Sequence, residues 1–172
     1  DNVSLSQSTG DGNTARAYQI GSNDAEIEQV GNGNFASNRQ VGYATDSFLG
    51  DDNTAYTRQR GNNNYADASQ IGNDNNSRII QGAGFGDDNS AIVAQNGEDN
   101  NSVVRQFRDD HTATVSQTGD NNDSDVLQRM GDGNQAYIVQ TGDDNVSDVD
   151  QDGDANLYLI HISEPTRRKH IS

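Results

Sequence analysis

The sequence predicts an all-β fold, a β-solenoid in which two parallel sheets stack face to face. Three features predict it: a seven-residue pattern recurs along the chain, only alternate positions of that pattern are constrained, and turns rich in glycine separate the copies. The pattern is clearest in residues 59–81, where Asn64 and Gln70 are followed eleven residues later by Asn75 and Gln81. A short unit repeated this regularly indicates a stack of similar structural elements.

Each copy of the pattern begins with an Asn-type position and ends with a Gln six residues later. Thirteen copies align in this way, and eleven of their first positions are Asn. The first positions are Asp1, Asn13, Asn23, Asn34, Asn53, Asn64, Asn75, Asn89, Asn100, His111, Asn122, Asn134 and Asn145. The last positions are Gln7, Gln19, Gln29, Gln40, Gln59, Gln70, Gln81, Gln95, Gln106, Gln117, Gln128, Gln140 and Gln151.

Two further positions between the Asn and the Gln are constrained. The third residue of most copies is Ala or Ser, as in Ala66 and Ser77, and the fifth is usually apolar, as in Ile79 and Val93. The residues between these positions vary freely. A period of two is the side-chain alternation of a β-strand, whereas a helix would constrain residues three and four apart. Each copy is therefore predicted to be a strand with a constant inward face and a variable outward face.

Turns rich in Gly, Asp and Asn connect the predicted strands. Gly supplies a positive φ angle, and Asn and Asp satisfy local backbone groups, so these segments favour sharp reversals. The predicted turn glycines are Gly21, Gly31, Gly42, Gly61, Gly72, Gly97, Gly119, Gly142 and Gly153. Two connections, residues 41–52 and 82–88, are longer and are predicted to be loops that bulge from an edge.

A longer period lies over the first one. From Ala66 to Ser147 the third position alternates between Ala and Ser. The full repeat is therefore about 22 residues long and holds two strands and two turns. Such a unit cannot bury its inward face alone, but stacked units can. Two strands per rung give about 6.5 rungs and a stack of ~30 Å.

The inward Asn and Gln residues are predicted to form ladders that hold the stack together. A side-chain amide carries both donors and an acceptor, so identical amides at the strand spacing can bond to the copies above and below. A satisfied buried amide contributes about 1 kcal/mol, and a broken ladder leaves a neighbour unsatisfied at a cost of about 1–3 kcal/mol. The ladders also fix the register, because a shift of one residue would turn every Gln outward.

Composition excludes several classes of protein. The chain of 172 residues has a formal charge of −16, only 30% apolar residues, one Pro and no Cys. Such a composition is close to that of disordered chains, so order must come from the periodicity. The acidity argues against nucleic acid as a partner, and the lack of Cys excludes disulfides and thiolate metal sites. No apolar run approaches the roughly 18 residues of a membrane span, and a start at Asp1 suggests a mature form or a fragment.

The doubled pattern Asn-x-small-x-apolar-x-Gln-x-Gly resembles the curlin repeat. The resemblance extends from Asp1 to about Asn156 and rests on thirteen aligned copies. It implies a secreted subunit of curli, the extracellular amyloid fibres of bacterial biofilms. It also implies export through an outer-membrane pore, self-assembly into a homopolymer and templating by a nucleator subunit. The chain could be either the major or the nucleator type.

The chain departs from the family pattern at several positions. The insert at residues 41–52 interrupts an otherwise regular stack, so we expect assembly to be perturbed there. Asp1 and His111 replace the Asn, and Arg108 replaces a turn Gly.

After residue 156 the pattern stops. Residues 157–172 carry the single Pro and a run of three basic residues, and are predicted to be a non-repeat tail separate from the solenoid of residues 1–156. Residues 159–167 resemble a translated sequencing adapter, which would make the tail an assembly artefact. The alternative is a genuine basic C-terminal tail.

The sequence contains no constellation typical of an enzyme, and no cofactor is expected. His111 occupies an Asn position of the ladder, where a stacked neutral imidazole is expected. Pairs of acidic residues fall in turns: Asp51-Asp52, Asp87-Asp88, Asp109-Asp110 and Asp143-Asp144. Stacked acidic turns could offer oxygens to calcium, or they could form a solvated edge that discourages clumping.

Two functions of different classes follow. The first is a structural subunit whose strands extend into a fibre that serves as biofilm matrix and in surface adhesion. The alternative is a monomeric β-solenoid that presents one face to carbohydrate, ice or mineral. Such a face needs a repeated exposed residue, and the outward positions of this chain show no regular column.

Overall fold

The computed structural model describes residues 2–42, 52–82 and 86–163, which form two parallel β-sheets. Within these ranges no helix is long and apolar enough to cross a membrane. Sheet A contains β1 (Val3–Thr9), β3 (Asp24–Val30), β5 (Thr54–Arg60), β7 (Asn76–Gln81), β9 (Asn101–Gln106), β11 (Asp123–Arg129) and β13 (Val146–Asp152). Sheet B contains β2 (Thr14–Ile20), β4 (Phe35–Val41), β6 (Tyr65–Asn73), β8 (Ser90–Glu98), β10 (Thr112–Thr118), β12 (Gln135–Thr141) and β14 (Leu157–Ser163).

The chain alternates between the two sheets. Odd-numbered strands lie side by side in sheet A and even-numbered strands in sheet B, and every pair of neighbours is parallel. Two successive strands therefore make one rung, and each rung lies on the one before it. This arrangement confirms the predicted β-solenoid of two stacked parallel sheets.

The inward face of each strand is the constant face of the repeat. In β10 the residues Ala113, Val115 and Gln117 are buried, whereas Thr112 and Thr114 on the outward face are only partly covered. From Ala66 onward the Ala and Ser of the third position belong to different sheets: Ala91 and Ala113 pair within sheet B, whereas Ser102 and Ser124 pair within sheet A. The apolar interior is a thin layer of such small side chains and of Val and Ile.

Insertions are confined to the turns and leave the register intact. Gln59 and Gln81 are 22 residues apart in the chain, Gln81 and Gln106 are 25 apart, and Gln29 and Gln59 are 30 apart. All three pairs occupy adjacent rungs in the same column. Sheet pairing therefore continues across the insert at residues 41–52, where we expected a perturbed stack. Residues 43–51 and 83–85 of the two long connections lie outside the described part.

The first strand corrects the sequence alignment. We expected Gln7 to continue the column of Gln29, but the structure pairs Ser8 with Gln29 and places Gln7 beside Glu28 on the outward face. The whole strand is shifted by one residue, so its inward face changes completely. The inward residues are Asn2, Ser4, Ser6 and Ser8.

Asn2 explains this register. Its Oδ1 atom accepts the backbone N–H of Asn23 at 3.0 Å, which is the contact that Asn makes in the other rungs. The shift also gives the turn before Asn13 the same length as the turn before Asn34. Asp1, which the alignment placed at the Asn position, lies outside the described residues.

The last strand lies within the predicted tail. Residues Leu157–Ser163 pair with β12 through the backbone. The inward positions of this strand hold Tyr158, Ile160 and Ile162 in place of Ala, Ile and Gln, so its side chains end the pattern of sheet B. Main-chain pairing tolerates almost any side chain, which is why a strand can form there. The domain boundary at residue 156 and the origin of the tail stay predictions, and residues 164–172 lie outside the described part.

Candidate functional site: the stacked amide columns

Each sheet contains a continuous column of Gln side chains. In sheet A every Nε2 donates to the Oε1 of the next Gln toward the C terminus, at 2.8–2.9 Å. Sheet B has the same arrangement at 2.9–3.0 Å. The column of sheet A is Gln29, Gln59, Gln81, Gln106, Gln128 and Gln151. The column of sheet B is Gln19, Gln40, Gln70, Gln95, Gln117 and Gln140.

The same Gln side chains join the two sheets. Gln59 lies in sheet A, and the carbonyls of Phe35 and Asn64 on the side of sheet B share its second N–H, with their oxygens 2.8 and 2.9 Å from Nε2. Gln70 in sheet B donates to Thr54 and Asn75 in the reverse direction. One amide therefore satisfies a neighbour in its own column and backbone groups across the interior. All of the column Gln residues except Gln19 are buried, so water cannot replace a lost partner.

The Asn residues form a second pair of columns with the opposite direction. The Nδ2 of Asn75 donates to the Oδ1 of Asn53, and that of Asn100 donates to Asn75, both at 3.0 Å. Each donor therefore points toward the N terminus. The remaining members of these columns are Asn13, Asn23, Asn34, Asn64, Asn89, Asn122, Asn134, Asn145 and Asn156.

Each Asn also fixes a turn. The Oδ1 of Asn53 accepts the backbone N–H of Asn75 at 3.1 Å, and the Nδ2 of Asn53 donates to the carbonyl of Gly72 at 2.7 Å. Stacking as well as conformation requires glycine at several turn positions, among them Gly31, Gly61, Gly97 and Gly119. Gly31 has a φ of 117°, and a Cβ atom there would collide with the carbonyl of Gly61 in the next rung. The predicted turn glycines share this positive φ except Gly42, which is absent from that group.

Sequence reasoning missed a second left-handed position in the turns. The residue before the column Asn has a positive φ in most rungs, as at Asn63, Asp74 and Asp144. Asn and Asp tolerate this conformation better than other non-glycine residues. The signal was present in the sequence, because Gly, Asn or Asp precedes nearly every column Asn.

The turns carry a further column of carboxylates on one edge. The side chain of Asp109 accepts the backbone N–H of Asp87, that of Asp132 accepts from Asp109, and that of Asp154 accepts from Asp132. Carboxylates in adjacent rungs repel one another, although exposure to water and salt weakens the repulsion. Among the described residues, no group of three or more His, Asp or Glu is placed to hold a metal ion.

Two polar residues occupy apolar positions of the interior and pair with each other. Thr57 of β5 donates its hydroxyl to the Oδ1 of Asn38 in β4 at 2.8 Å. The Nδ2 of Asn38 reaches the carbonyl of Ala55 at 3.2 Å. Both side chains are fully buried, so each requires the other. The sequence alone did not indicate that these two exceptions meet across the interior.

His111 is a defect in the Asn column of sheet B. Its side chain is fully buried, and its Nδ1 atom accepts the backbone N–H of Asn134 at 3.2 Å, so the imidazole is neutral there. The imidazole cannot supply the second acceptor contact of an Asn. As a result, His111 Nε2 and Asn134 Nδ2 are both buried without a partner. Burial lowers the pKa of His111, and the charges of Asp132, Asp109 and Asp110 oppose that shift only partly.

One comparison with known proteins identifies a family. The family model described as the curlin associated repeat matches residues 50–82, 86–119 and 119–153. These three segments cover more than half of the chain, and each contains one complete rung of the amide columns. No curated protein matches the chain.

Removing one column Gln should destabilise the fold far more than removing an outward Gln of the same strand. Strand β12 offers both residues, since Gln140 is buried in the column and Gln135 is exposed. We expect Gln140→Ala to lower the free energy of unfolding by about 1–3 kcal/mol, because the donor of Gln117 loses its acceptor and a cavity remains. Gln135→Ala should change it by less than about 0.5 kcal/mol. Urea titration measures both, and equal losses would contradict the inward assignment.

Replacing His111 by Asn should stabilise the protein and reduce its sensitivity to acid. His111→Asn restores partners for two buried donors, so we expect a gain of about 1–3 kcal/mol at pH 7.5. The pKa of folded His111 is lowered, whereas in the unfolded chain it is about 6.5. The unfolded chain therefore binds the proton more readily, and acid destabilises the native protein as the pH falls below about 6.5.

Urea midpoints of both variants between pH 7.5 and 5 test this expectation. The two proteins differ only at residue 111, so the difference between them isolates the effect of His111. The advantage of the Asn variant should grow as the pH falls. A difference that is constant across the range would show that His111 does not titrate.

Proposed function

The chain belongs to the curlin associated repeat family, and from this premise we propose that it is a structural subunit of an extracellular, curli-like amyloid fibre. The family consists of fibre subunits and is not an enzyme family. The proposed role of the chain is mechanical: its rungs continue from one copy into the next. The Asn and Gln columns are the proposed assembly residues.

The open ends of the sheets support this proposal. At one end β1 and β2 have a neighbour on one side only, and at the other end β13 and β14 do. An unpaired parallel strand presents a row of N–H and C=O groups that another chain can pair with. Gln19 and Gln151 lie in the end rungs, whereas Gln29 and Gln140, the other two ends of the Gln columns, are covered by β1 and β14. A second copy placed on an end would extend both sheets at once.

The direction of the columns is the observation that carries the proposal. Gln donors point toward the C-terminal end, whereas Asn donors point toward the N-terminal end. Each column is therefore polar: a Gln column has a donor at its C-terminal end and an acceptor at its N-terminal end, and an Asn column has the reverse. In the end rungs Ser8 of β1 and Ile162 of β14 stand in place of a Gln. Copies in the same orientation match, while an inverted copy would place like groups against each other. A contact of this kind does not close into a ring when it continues the helical rise of the solenoid, and it produces a fibre.

The cellular setting follows from the family. We propose that the fibre lies on the surface of a bacterium and serves biofilm formation and adhesion. The proposal includes export of the chain through an outer-membrane pore. It also includes nucleation of the fibre, either by a related subunit or by this chain itself. The acidic turn columns would then line the edges of the fibre, where they favour solubility of its sides.

Incubation of the purified chain tests the proposed function. We expect fibres that bind thioflavin T, with a cross-β reflection near 4.7 Å along the fibre axis. Fragmented fibres added as seeds should abolish the lag phase, because growth occurs at preformed ends. Seeds should also recruit Gln135→Ala normally and Gln140→Ala poorly.

Sedimentation velocity distinguishes a monomer from growing polymers and so can contradict the proposed fibre. A folded chain that stays monomeric for days at high concentration, with and without seeds, would refute the fibre. The monomeric surface-binding solenoid would then be the better account.

A further inference from the structure

The first strand has two alternative inward faces. In the structure β1 directs Asn2, Ser4 and the other even-numbered residues inward, and this places Val3 and Leu5 on the outward face. Both apolar side chains are 57% exposed there. The opposite register would direct Val3, Leu5 and Gln7 inward, which is the small-apolar-Gln order of the family repeat. A shift of one residue exchanges these two faces.

A buried acceptor next to β1 lacks its partner. In the Gln column of sheet A, the Oε1 atoms of Gln59, Gln81 and Gln106 each accept from the Gln one rung nearer the N terminus. The Oε1 of Gln29 has no hydrogen-bond partner, although the side chain of Gln29 is only 1% exposed. The missing donor belongs to the position that Ser8 occupies. In the shifted register, Gln7 would supply an Nε2 donor at that position.

The turn after β1 can have either of two lengths. Residues 7–13 read Gln-Ser-Thr-Gly-Asp-Gly-Asn, and residues 128–134 read Gln-Arg-Met-Gly-Asp-Gly-Asn. In the second segment the Gln is inward and the turn is one residue longer, with Met130 at a φ of 51°. The equivalent of Met130 is Thr9, and a β-branched residue resists a positive φ. The shifted register would strain Thr9, and the observed register has the hydrogen bond from the Asn23 N–H to Asn2. Both effects favour the observed register.

We propose that β1 shifts by one residue when a second copy of the chain stacks on it, so that Val3, Leu5 and Gln7 turn inward and complete the sheet A side of the junction. This inference rests on the proposed function. The rung that would cover β1 is β13 of the second copy, whose inward side chains are Ser147, Val149 and Gln151. These match the small, apolar and Gln positions of the shifted strand.

The balance between the registers depends on what covers β1. While the inward face of β1 is open to water, its Ser side chains remain hydrated and carry no desolvation penalty. Turning Val3 and Leu5 inward would then bury little apolar surface and add little stability. Once a second copy covers that face, apolar side chains in the inward positions are favoured. Gln7 then accepts from Gln151 of the second copy and donates to Gln29, which makes the Gln column continuous. The free and assembled chains would therefore differ in the register of β1.

Disulfide locks on the outward face test the proposal without touching the columns. In the observed register Leu5 lies beside Glu26, and in the shifted register Ser4 would lie there. The chain has no Cys, so each introduced pair is unique. Neighbouring strand positions about 4.8 Å apart are within the range of a disulfide. The two variants are L5C with E26C, which locks the observed register, and S4C with E26C, which locks the shifted one.

Seeded elongation rates of the oxidised and reduced forms decide the matter. Oxidised L5C/E26C should elongate at least about tenfold more slowly than its reduced form, whereas oxidised S4C/E26C should elongate at the wild-type rate or faster. Normal growth of oxidised L5C/E26C would overturn the shift and leave the proposed function intact. Arrested growth of oxidised S4C/E26C would overturn it as well. If neither the reduced forms nor the wild-type chain gives fibres, the proposed function fails, and this inference fails with it.

A third variant changes the energetic balance and leaves the strand unlocked. Thr9→Asn removes the β-branched residue from the position that must adopt a positive φ in the longer turn. Elongation should accelerate by about threefold or more. The matched control is Thr118→Asn, because Thr118 is an exposed Thr at the end of a strand in the middle of the stack. An equal effect of the two substitutions would contradict the shift.

Discussion

The hydrogen bond between identical amides in successive rungs is the constraint on which the rest of this structure depends. A buried Asn or Gln must find partners for both of its polar atoms, because water does not reach the interior. Stacking like over like provides them at the strand spacing. The requirement fixes the register of all inner strands, so extra residues are tolerated only in the turns. It also explains why Gln29 and Gln59 remain neighbours although 30 residues separate them.

The amide columns allow an unusual composition to fold. With 30% apolar residues, the chain cannot form a thick hydrophobic core. The interior is instead a thin layer of Ala, Ser, Val and Ile between two amide columns in each sheet. The opposite directions of the Gln and Asn columns keep the sum of their dipoles small, while each column remains polar. The polarity of each column gives the molecule two different ends, and this property connects the fold with the proposed head-to-tail assembly.

Sequence reasoning gave the architecture because the pattern has one side-chain type per column. The pattern predicted the period-two alternation, the position of Gln in most strands and the division into two sheets. It did not predict the structure of the first and last strands or the contacts of residues that depart from the pattern. The repeat pattern favours a register with Gln7 inward. The hydrogen bond to Asn2, and the strain that the longer turn would cause at Thr9, favour the register observed for β1. The pairing of Asn38 with Thr57 is a contact across the interior that no local signal reveals. Strand β14 lacks the small and Gln residues of the repeat, so the pattern did not predict its pairing with β12.

Solid-state NMR of fibres that carry ¹³C at the Gln side-chain carbonyl tests the central claim most directly. Dipolar recoupling between these carbons measures the separation of like amides, whichever copy they belong to. Continuous columns predict a nearest-neighbour distance of about 4.8 Å for nearly all of the label. A slow decay that corresponds to distances beyond about 8 Å would contradict the account, since Gln side chains on neighbouring rungs would then not be stacked.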